Sequence, residues 1–207
     1  MANTTFKGTL RSEGGYSSIA TAANTGTETT QMSITSAGFA SLDANTMAVE
    51  AGTGITTGSG TVYRTSVQRS GGIITTRILI DLTGLASSGS GDIIGKAATA
   101  NSHIGQITAA VNGTVLGGKM TCLEAPAGGD PDINLWYADE ATGAEDAAIT
   151  SLTNQTQMCD SGDLALNSVI SIPTPPAADK YMYMVTGAAT DANYTAGKIL
   201  IEFFGYV

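Results

Sequence analysis

The chain has 207 residues, 42% of them hydrophobic, only 13% charged, and a formal net charge of −9. This length suits one medium domain or a domain with an arm, and the apolar share is enough for a core. Nucleic-acid binding is excluded, because phosphate neutralisation needs clustered Lys and Arg, and Arg64, Arg69 and Arg77 are the nearest approach to a cluster. With no membrane-length apolar run and no signal peptide at MANTTFKGTL, we expect a protein made in the cytoplasm, without a membrane partner.

Residues 1–60 differ in composition from the rest of the chain. TAANTGTETT and EAGTGITTGSGT are rich in Thr, Gly and Ser, and the segment between them has only spaced single hydrophobes. So little apolar surface does not offset the cost of ordering a backbone. We therefore predict that residues 1–60 form an extended N-terminal arm, which orders against its own domain or a neighbouring subunit.

Residues 61–207 carry a strong strand signal. TVYRTSVQR is rich in β-branched residues, and IITTRILIDL places Ile74, Ile78, Ile80 and Leu82 on one side of a second strand. Asn112-Gly113 lies between two further apolar runs and predicts a two-residue hairpin turn. DINLWYA, LNSVISI, KYMYMVTG and GKILIEFFGYV are the remaining predicted strands, and EDAAITSLTNQT is the one candidate helix, interrupted by Thr and Asn.

The predicted fold class is all-β, because several short strands are separated by turn signals. Two architectures fit this pattern, a β-sandwich and a jelly-roll-like barrel. The separation of Cys122 and Cys159 in the sequence allows them to pair, but two buried free thiols are expected, since disulfides are rare in proteins made in a reducing compartment.

The stretch GGDPDINLWYADEATGAEDA, residues 128–147, looks most like a chemical site. It holds the only tryptophan, Trp136, and lies in an interval between Lys119 and Lys180 that has ten acidic residues and no basic one. Asp130 and Asp132 are weak candidates for a calcium site, but the residues after them predict a strand and not a ligand loop. The preferred interpretation places the carboxylates in solvated loops at both ends of one strand.

Catalytic roles find little support in the sequence. Asp132 and Asp139 are an odd number of residues apart, which places them on opposite faces of a strand and too far apart for a glycosidase pair. His103 is the only histidine, and no GxSxG motif accompanies it, so a structural or exposed histidine is expected. The spacings of zinc sites are absent too, and neither GTGITTGSG nor SSGSG has the GKS or GKT of a phosphate loop. No catalytic residue and no cofactor is predicted.

Several segments resemble small β-rich virion structural proteins of tailed marine phages, the cyanophage-like group among them. The segments are YRTSVQRSGGIITTRILIDLTGL, DIIGK, GGDPDINLWYAD and GKILIEFFGY, and the opening FKGTLRSEGGY resembles the start of several phage head proteins. The resemblance implies a capsid decoration or cement protein on the virion surface, made in the host cytoplasm and without enzymatic activity. It implies as partners the major capsid protein and neighbouring copies of this chain, as a homotrimer on local three-fold positions.

Low charge and a hydroxyl-rich surface fit a protein that contacts a lattice of neighbours. The expected contact residues are Trp136, Tyr137, Asp139, Glu140, Arg64 and Arg69. Arg64, Arg69 and Arg77 could instead pair with the acidic interval, within a subunit or between subunits, or lie solvated at strand edges. The competing hypothesis is a tail or fibre module that binds a receptor or carbohydrate through Trp136, Tyr137, Tyr181, Tyr183 and Tyr194.

Overall fold

The computed structural model describes residues 49–57 and 62–207 in full and, before them, the backbone of three strands. The chain divides into two compact units, Met1–Thr46 and Met47–Val207. The described strands of the first unit form an antiparallel sheet in the order β1-β2-β3. Their bounds are Tyr16–Thr21 (β1), Glu28–Ile34 (β2) and Ala40–Leu42 (β3). The prediction that residues 1–60 serve as an arm falls largely outside the described residues and stays a prediction.

The second unit consists mainly of antiparallel strands in two larger sheets and one small one. The five-stranded sheet has the order β11-β8-β14-β5-β4, the four-stranded sheet β10-β9-β12-β7, and the small sheet β13-β6. The strands are β4 (Tyr63–Ser70), β5 (Ile73–Asp81), β6 (Ala86–Ser87), β7 (Gly105–Ile107), β8 (Thr114–Ala127), β9 (Ile133–Ala138), β10 (Thr156–Cys159), β11 (Val169–Ile172), β12 (Lys180–Thr186), β13 (Ala192–Asn193) and β14 (Ala196–Tyr206). Two single-turn helices, α1 (Thr53–Thr56) and α2 (Ala109–Asn112), and a 3-10 turn, Ile149–Ser151, interrupt them.

The main core lies between the two larger sheets. Side chains alternate along each strand, so Ile74, Ile78 and Ile80 of β5 are fully buried, as the sequence pattern predicts. The core cluster includes Met120, Cys122, Ile199, Ile201 and Phe203 from one sheet and Ile133, Leu135, Met182 and Met184 from the other. The all-β prediction is therefore confirmed, and the two packed sheets make a sandwich.

A second, smaller core covers the other face of the four-stranded sheet. Tyr183 and Val185 of β12 and Ala138 of β9 point away from the main core. Ile93 and Ile149, from the loops before β7 and after β9, pack onto them. We call this group the satellite core. Because of it, β9 and β12 are apolar on both faces and lack the alternation of a half-exposed strand.

The sandwich unit begins before the predicted boundary at residue 61. Val49 and Ile55 are buried members of the main core. Gly52 N donates to the His103 carbonyl (2.9 Å) and Gly54 N to the Asn101 carbonyl (3.0 Å). Because this segment is rich in Thr and Gly, the sequence did not indicate that Val49 and Ile55 belong to the core. They pack there because the backbone around them is hydrogen-bonded to the loop before β7.

The predicted hairpin at Asn112-Gly113 is wrong. The strand before this dipeptide, β7, pairs with β12, whereas the strand after it, β8, pairs with β14 and β11. Asn112 instead closes α2, accepting from Thr108 N (2.9 Å) and donating to Thr76 Oγ1 (2.8 Å). Gly113 follows with φ of 64°, a conformation that favours glycine. The dipeptide thus ends a helical turn that carries the chain from one sheet to the other.

Two other local predictions have clear outcomes. The candidate helix over EDAAITSLTNQT is wrong, because only Ile149–Ser151 is helical and Thr156 already begins β10. Cys122 and Cys159 are buried free thiols, as predicted. Burial raises the pKa of the Cys159 thiol to about 11, so the thiol stays protonated and unreactive at neutral pH.

Candidate functional site

The stretch 128–147 has its carboxylates in loops at the two ends of β9, as predicted. Asp130 and Asp132 precede the strand, and Asp139 and Glu140 follow it. The two groups face different neighbours. Asp132 lies among other aspartates, whereas Asp139 bonds to Lys180 and to Asn154 Nδ2 (2.6 Å). The stretch therefore contains two separate polar sites and not one acid-base pair.

The first site is a cluster of four aspartates, Asp130, Asp132, Asp160 and Asp163, which we call the four-aspartate cluster. Asp130 is fully buried, and its Oδ1 and Oδ2 accept from Asp132 N (2.9 Å) and Thr190 N (3.3 Å). Asp132 and Asp163 form an isolated backbone bridge, which brings the loop after β10 to the start of β9. The sequence did not indicate that these aspartates lie close together, because they are far apart along the chain.

Asp132 is the electrostatically strained member of the cluster. Burial raises its pKa first, and the neighbouring carboxylates of Asp160, Asp130 and Asp163 raise it further. Its Oδ1 is buried without a hydrogen-bond partner among the described residues. The group packs directly on Gly187, where an added Cβ would lie 2.1 Å from its Cγ.

The four-aspartate cluster does not have the arrangement of a metal site. Among the described residues, no three His, Cys, Asp or Glu side chains are placed to hold a metal ion together. Both carboxyl oxygens of Asp130, one of the two calcium candidates, are already used by backbone N–H groups. The cluster concentrates negative charge at one end of the four-stranded sheet and offers no coordination shell.

Replacing Asp132 by asparagine is expected to raise the free energy of unfolding by roughly 1 kcal/mol at neutral pH. Because its pKa is raised in the folded state, the folded protein binds this proton more tightly than the unfolded chain does. The ionised group thus opposes folding above the raised pKa, and the penalty disappears as pH falls through that value. Urea unfolding across pH should show the difference between wild type and variant shrinking towards acid pH.

The matched control is Asp191→Asn, which removes an exposed carboxylate outside the four-aspartate cluster. It should leave the stability within a few tenths of a kcal/mol. A stabilisation of the same size in both variants would show that net charge, and not the cluster, is responsible.

The second site, after β9, is held by hydrogen bonds and an ion pair. Hydrogen bonds from Lys180 and Asn154 lower the pKa of the exposed Asp139 carboxyl. A hydrogen bond from Thr153 N (2.8 Å) lowers the pKa of Glu140. Both carboxylates are therefore ionised at neutral pH and fix the loop that covers the satellite core.

Trp136 and Tyr137 lie on opposite faces of β9. Trp136 is half-buried and packs against the satellite core, and Tyr137 packs against the main core. Trp136 Nε1 is buried without a partner in the described part of the chain. Of the other aromatic residues proposed for stacking on sugar, Tyr183 and Tyr194 are almost completely buried. These rings do not form one exposed platform.

His103 is a half-buried packing residue, which corresponds to the first of the two roles expected for it, structural or exposed. Its ring lies edge-on to Tyr181 and Tyr183, with centroids 5.0 and 6.5 Å apart. Burial lowers its pKa, so the imidazole is neutral at pH 7. Burial also raises the pKa of Tyr183 to about 12, and its hydroxyl donates to the Glu140 carbonyl.

The arginines predicted as contact residues lie along β4, the edge strand of the five-stranded sheet. Arg69 donates to the carbonyls of Ala110 and Val111 at the end of α2. Arg64 is exposed, and its Nη1 donates to the neighbouring Tyr63 carbonyl (3.1 Å). Within the described residues, neither makes an ion pair with the acidic interval, so intrachain pairing is not observed.

A shallow depression of about 380 Å³ lies beside Arg64. Its lining residues are Val49, Glu50, Ala51, Thr56, Tyr63, Arg64 and Thr65. The Tyr63 hydroxyl supports it from a position 2.9 Å from the carbonyl oxygens of both Val49 and Ile104, which share its one donor hydrogen. Apart from Glu50 and Arg64, the described lining is aliphatic, aromatic and hydroxyl.

A further polar feature, which sequence patterns did not indicate, is the outer face of the five-stranded sheet. Three rows of directly opposed residues cross β5, β14 and β8. The Glu202 row consists of Arg77, Glu202 and Lys119; the Leu200 row of Leu79, Leu200 and Thr121; and the Lys198 row of Asp81, Lys198 and Glu124.

Each of the two charged rows is an ion-paired triad. Glu202 contacts Arg77 Nε and Lys119 Nζ, both at 3.0 Å, and the hydrogen bond from Lys119 is the largest contribution lowering its pKa. Lys198 bonds to Glu124 and lies 3.5 Å from Asp81 Oδ2. The Glu202 row therefore has two positive charges around one negative charge, and the Lys198 row has the reverse.

No protein-family model matches the chain, and neither a curated protein sequence nor a solved structure matches it significantly. In the part of the chain that the structure describes, no helix has the length and apolarity needed to cross a membrane.

Proposed function

We propose that this protein is a non-enzymatic structural protein of a virion, a capsid decoration or cement protein that binds the outer capsid surface. The proposal rests on the resemblance of several segments to virion proteins of tailed marine phages and on the distribution of charge in the sandwich. Its partners would be the major capsid protein and other copies of this chain.

The observation that carries the proposal is the concentration of unpaired carboxylates around the ends of the four-stranded sheet. Asp160, Asp163 and Asp179 are exposed, and Asp132 is half-buried beside two of these neighbours. Within residues 120–179, only Glu124 and Asp139 contact a lysine or arginine in the part of the chain that the structure describes. Such a surface favours a basic partner surface and repels like surfaces, which gives specificity and faster association.

The test is co-sedimentation of the purified protein with tail-less capsids of the phage that encodes it, prepared without this protein. We expect binding at low salt that weakens as salt rises, because exposed charges are screened. A double variant, Asp160→Asn with Asp163→Asn, should bind at least severalfold more weakly, and Asp191→Asn should bind as wild type does. Failure to bind capsids at low salt, with the protein folded, would contradict the proposal.

The second candidate is a tail or fibre module that binds carbohydrate. Trp136, Tyr137 and Tyr181 are only half-buried, so part of each ring reaches solvent. This candidate is weaker, because all three rings pack against one of the two cores. Binding to tails or to glycans, without binding to capsids, would favour it.

A capsid role alone would suit a trimer on local three-fold positions. The described residues carry no feature that favours three copies over another number.

A further inference from the structure

We infer that the outer face of the five-stranded sheet binds the same face of a second copy of this chain. The two-fold axis would lie between the sheets and along the Leu200 row, perpendicular to the strands. This inference concerns self-association and does not depend on the proposed capsid role.

Within residues 62–207 the face is open to solvent apart from Glu202, which is only 8% exposed between its two cationic partners. The side chains of Arg77, Lys119 and Lys198 keep 42–45% of their surface exposed although each is ion-paired. Leu79 and Leu200 between them are only half-buried, and Ile73, Phe204 and Tyr206 continue the apolar surface towards one end. An apolar row between two charged rows is more typical of a contact surface than of a solvated sheet face.

Charge complementarity specifies the partner. A 180° rotation about an axis along the Leu200 row places each strand opposite the same strand of the second copy. It also places the Glu202 row of one copy opposite the Lys198 row of the other. Arg77 then faces Asp81 of the second copy, Glu202 faces Lys198, and Lys119 faces Glu124. All the cross-subunit pairs between these two charged rows are thus of opposite sign, and the symmetry makes six of them. An isologous contact requires this self-complementarity.

Other arrangements of the same two faces lack this match. A two-fold axis along β14 would place Arg77 against Lys119 of the second copy and Glu202 against Glu202. Like charges held opposite each other disfavour that pairing. The registers of β5, β14 and β8 therefore select one axis, and with it one set of contacts.

The apolar row lies on the proposed axis, so Leu79, Leu200 and Thr121 each meet their own counterpart. Val169 of β11 extends this row at one edge and is exposed. Arg64 extends it at the other edge and would face its own counterpart there, but its long side chain is exposed and can turn into solvent. Two such faces pack with their strands within about 30° of each other, as in other aligned sheet packings.

The size of the face fits a specific but modest contact. Five strands about 4.8 Å apart, with outward residues about 6.7 Å apart along each strand, give a face of roughly 600 Å² per copy. The two copies would bury roughly 1,200 Å², at the lower end of the range for specific interfaces. We therefore expect a reversible dimer whose population depends on concentration.

The decisive experiment exploits the position of Leu200 on the axis. In Leu200→Glu or Leu200→Lys, the new charge would face its own copy, so each variant alone should associate at least tenfold more weakly than wild type in sedimentation velocity. An equimolar mixture should recover a dimer, because glutamate then faces lysine. Circular dichroism checks that each variant is folded.

A second pair of variants keeps the test decisive if either Leu200 variant fails to fold. Arg77→Glu and Asp81→Arg each place like charges across the proposed interface, and their mixture restores opposite charges at both symmetry-related contacts. Thr142→Glu, which adds a carboxylate in the exposed loop after β9, should leave association unchanged.

Three results would overturn the inference: a wild-type protein that is monomeric throughout the concentration series, folded variants that associate as wild type does, or folded, monomeric variants whose mixture stays monomeric. A trimer whose association is unchanged in the folded variants would overturn the inference too, because those variants would then associate as wild type does. Because no capsid is used, a negative result here leaves the capsid-binding experiment to be judged separately.

Discussion

Trp136→Ala is expected to lower the free energy of unfolding by about 3 kcal/mol, near the lower end of the range for Trp→Ala changes because the ring is half-buried. The ring packs against the satellite core, which joins the four-stranded sheet to the loops before β7 and after β9. Its loss would leave a cavity beneath those loops and loosen them. Urea unfolding followed by circular dichroism measures the effect, since the variant removes the only tryptophan.

Trp136→Phe is the matched control. It keeps most of the packing and removes an indole N–H that has no hydrogen-bond partner among the described residues. Its cost should therefore be below about 1.5 kcal/mol. An alanine variant that is fully stable yet loses glycan binding would contradict the packing role and favour the carbohydrate-binding hypothesis.

Asp130→Ala is expected to lower the free energy of unfolding by about 2 kcal/mol, because it leaves backbone groups without their buried acceptor. The carboxyl of Asp130 is fully buried and accepts from the N–H groups of Asp132 and Thr190. Removing a negative charge beside Asp132 offsets part of the loss. Equilibrium urea unfolding at neutral pH gives the difference.

Asp130→Asn separates these two contributions. It keeps one carbonyl acceptor for the Asp132 N–H and still removes the like charge, so it should cost much less than alanine. Equal losses in the asparagine and alanine variants would show that the charge of Asp130, and not its acceptor geometry, stabilises the loop before β9.

Strand positions were predictable where the sequence alternates or is rich in β-branched residues. β5 shows this best, because its buried residues follow a strict period of two. β9, β12 and β14 were also located, although β9 and β12 are buried on both faces. Their second face is apolar because it packs against the satellite core. That core is formed with loops that are distant in sequence.

The polar sites were less predictable, because they depend on which strands become neighbours. Asp160 and Asp163 meet Asp132 only through the bridge between the loop after β10 and the start of β9. Asn112-Gly113 has the composition of a tight turn, but the Asn112 side chain bonds to Thr76 of another strand and fixes a different path. The charged rows of the five-stranded sheet likewise require the registers of β5, β8 and β14.

The position of β14 between β5 and β8 has a consequence for synthesis of the chain. Glu202 of β14 meets Arg77 of β5 across 125 residues of sequence, and Lys198 meets Glu124 across 74. On the ribosome, β5 and β8 emerge well before the strand that must separate them. The five-stranded sheet cannot close until β14 has been made, so the unit is expected to fold only after that strand has emerged and slowly, with its apolar strands in need of protection until then.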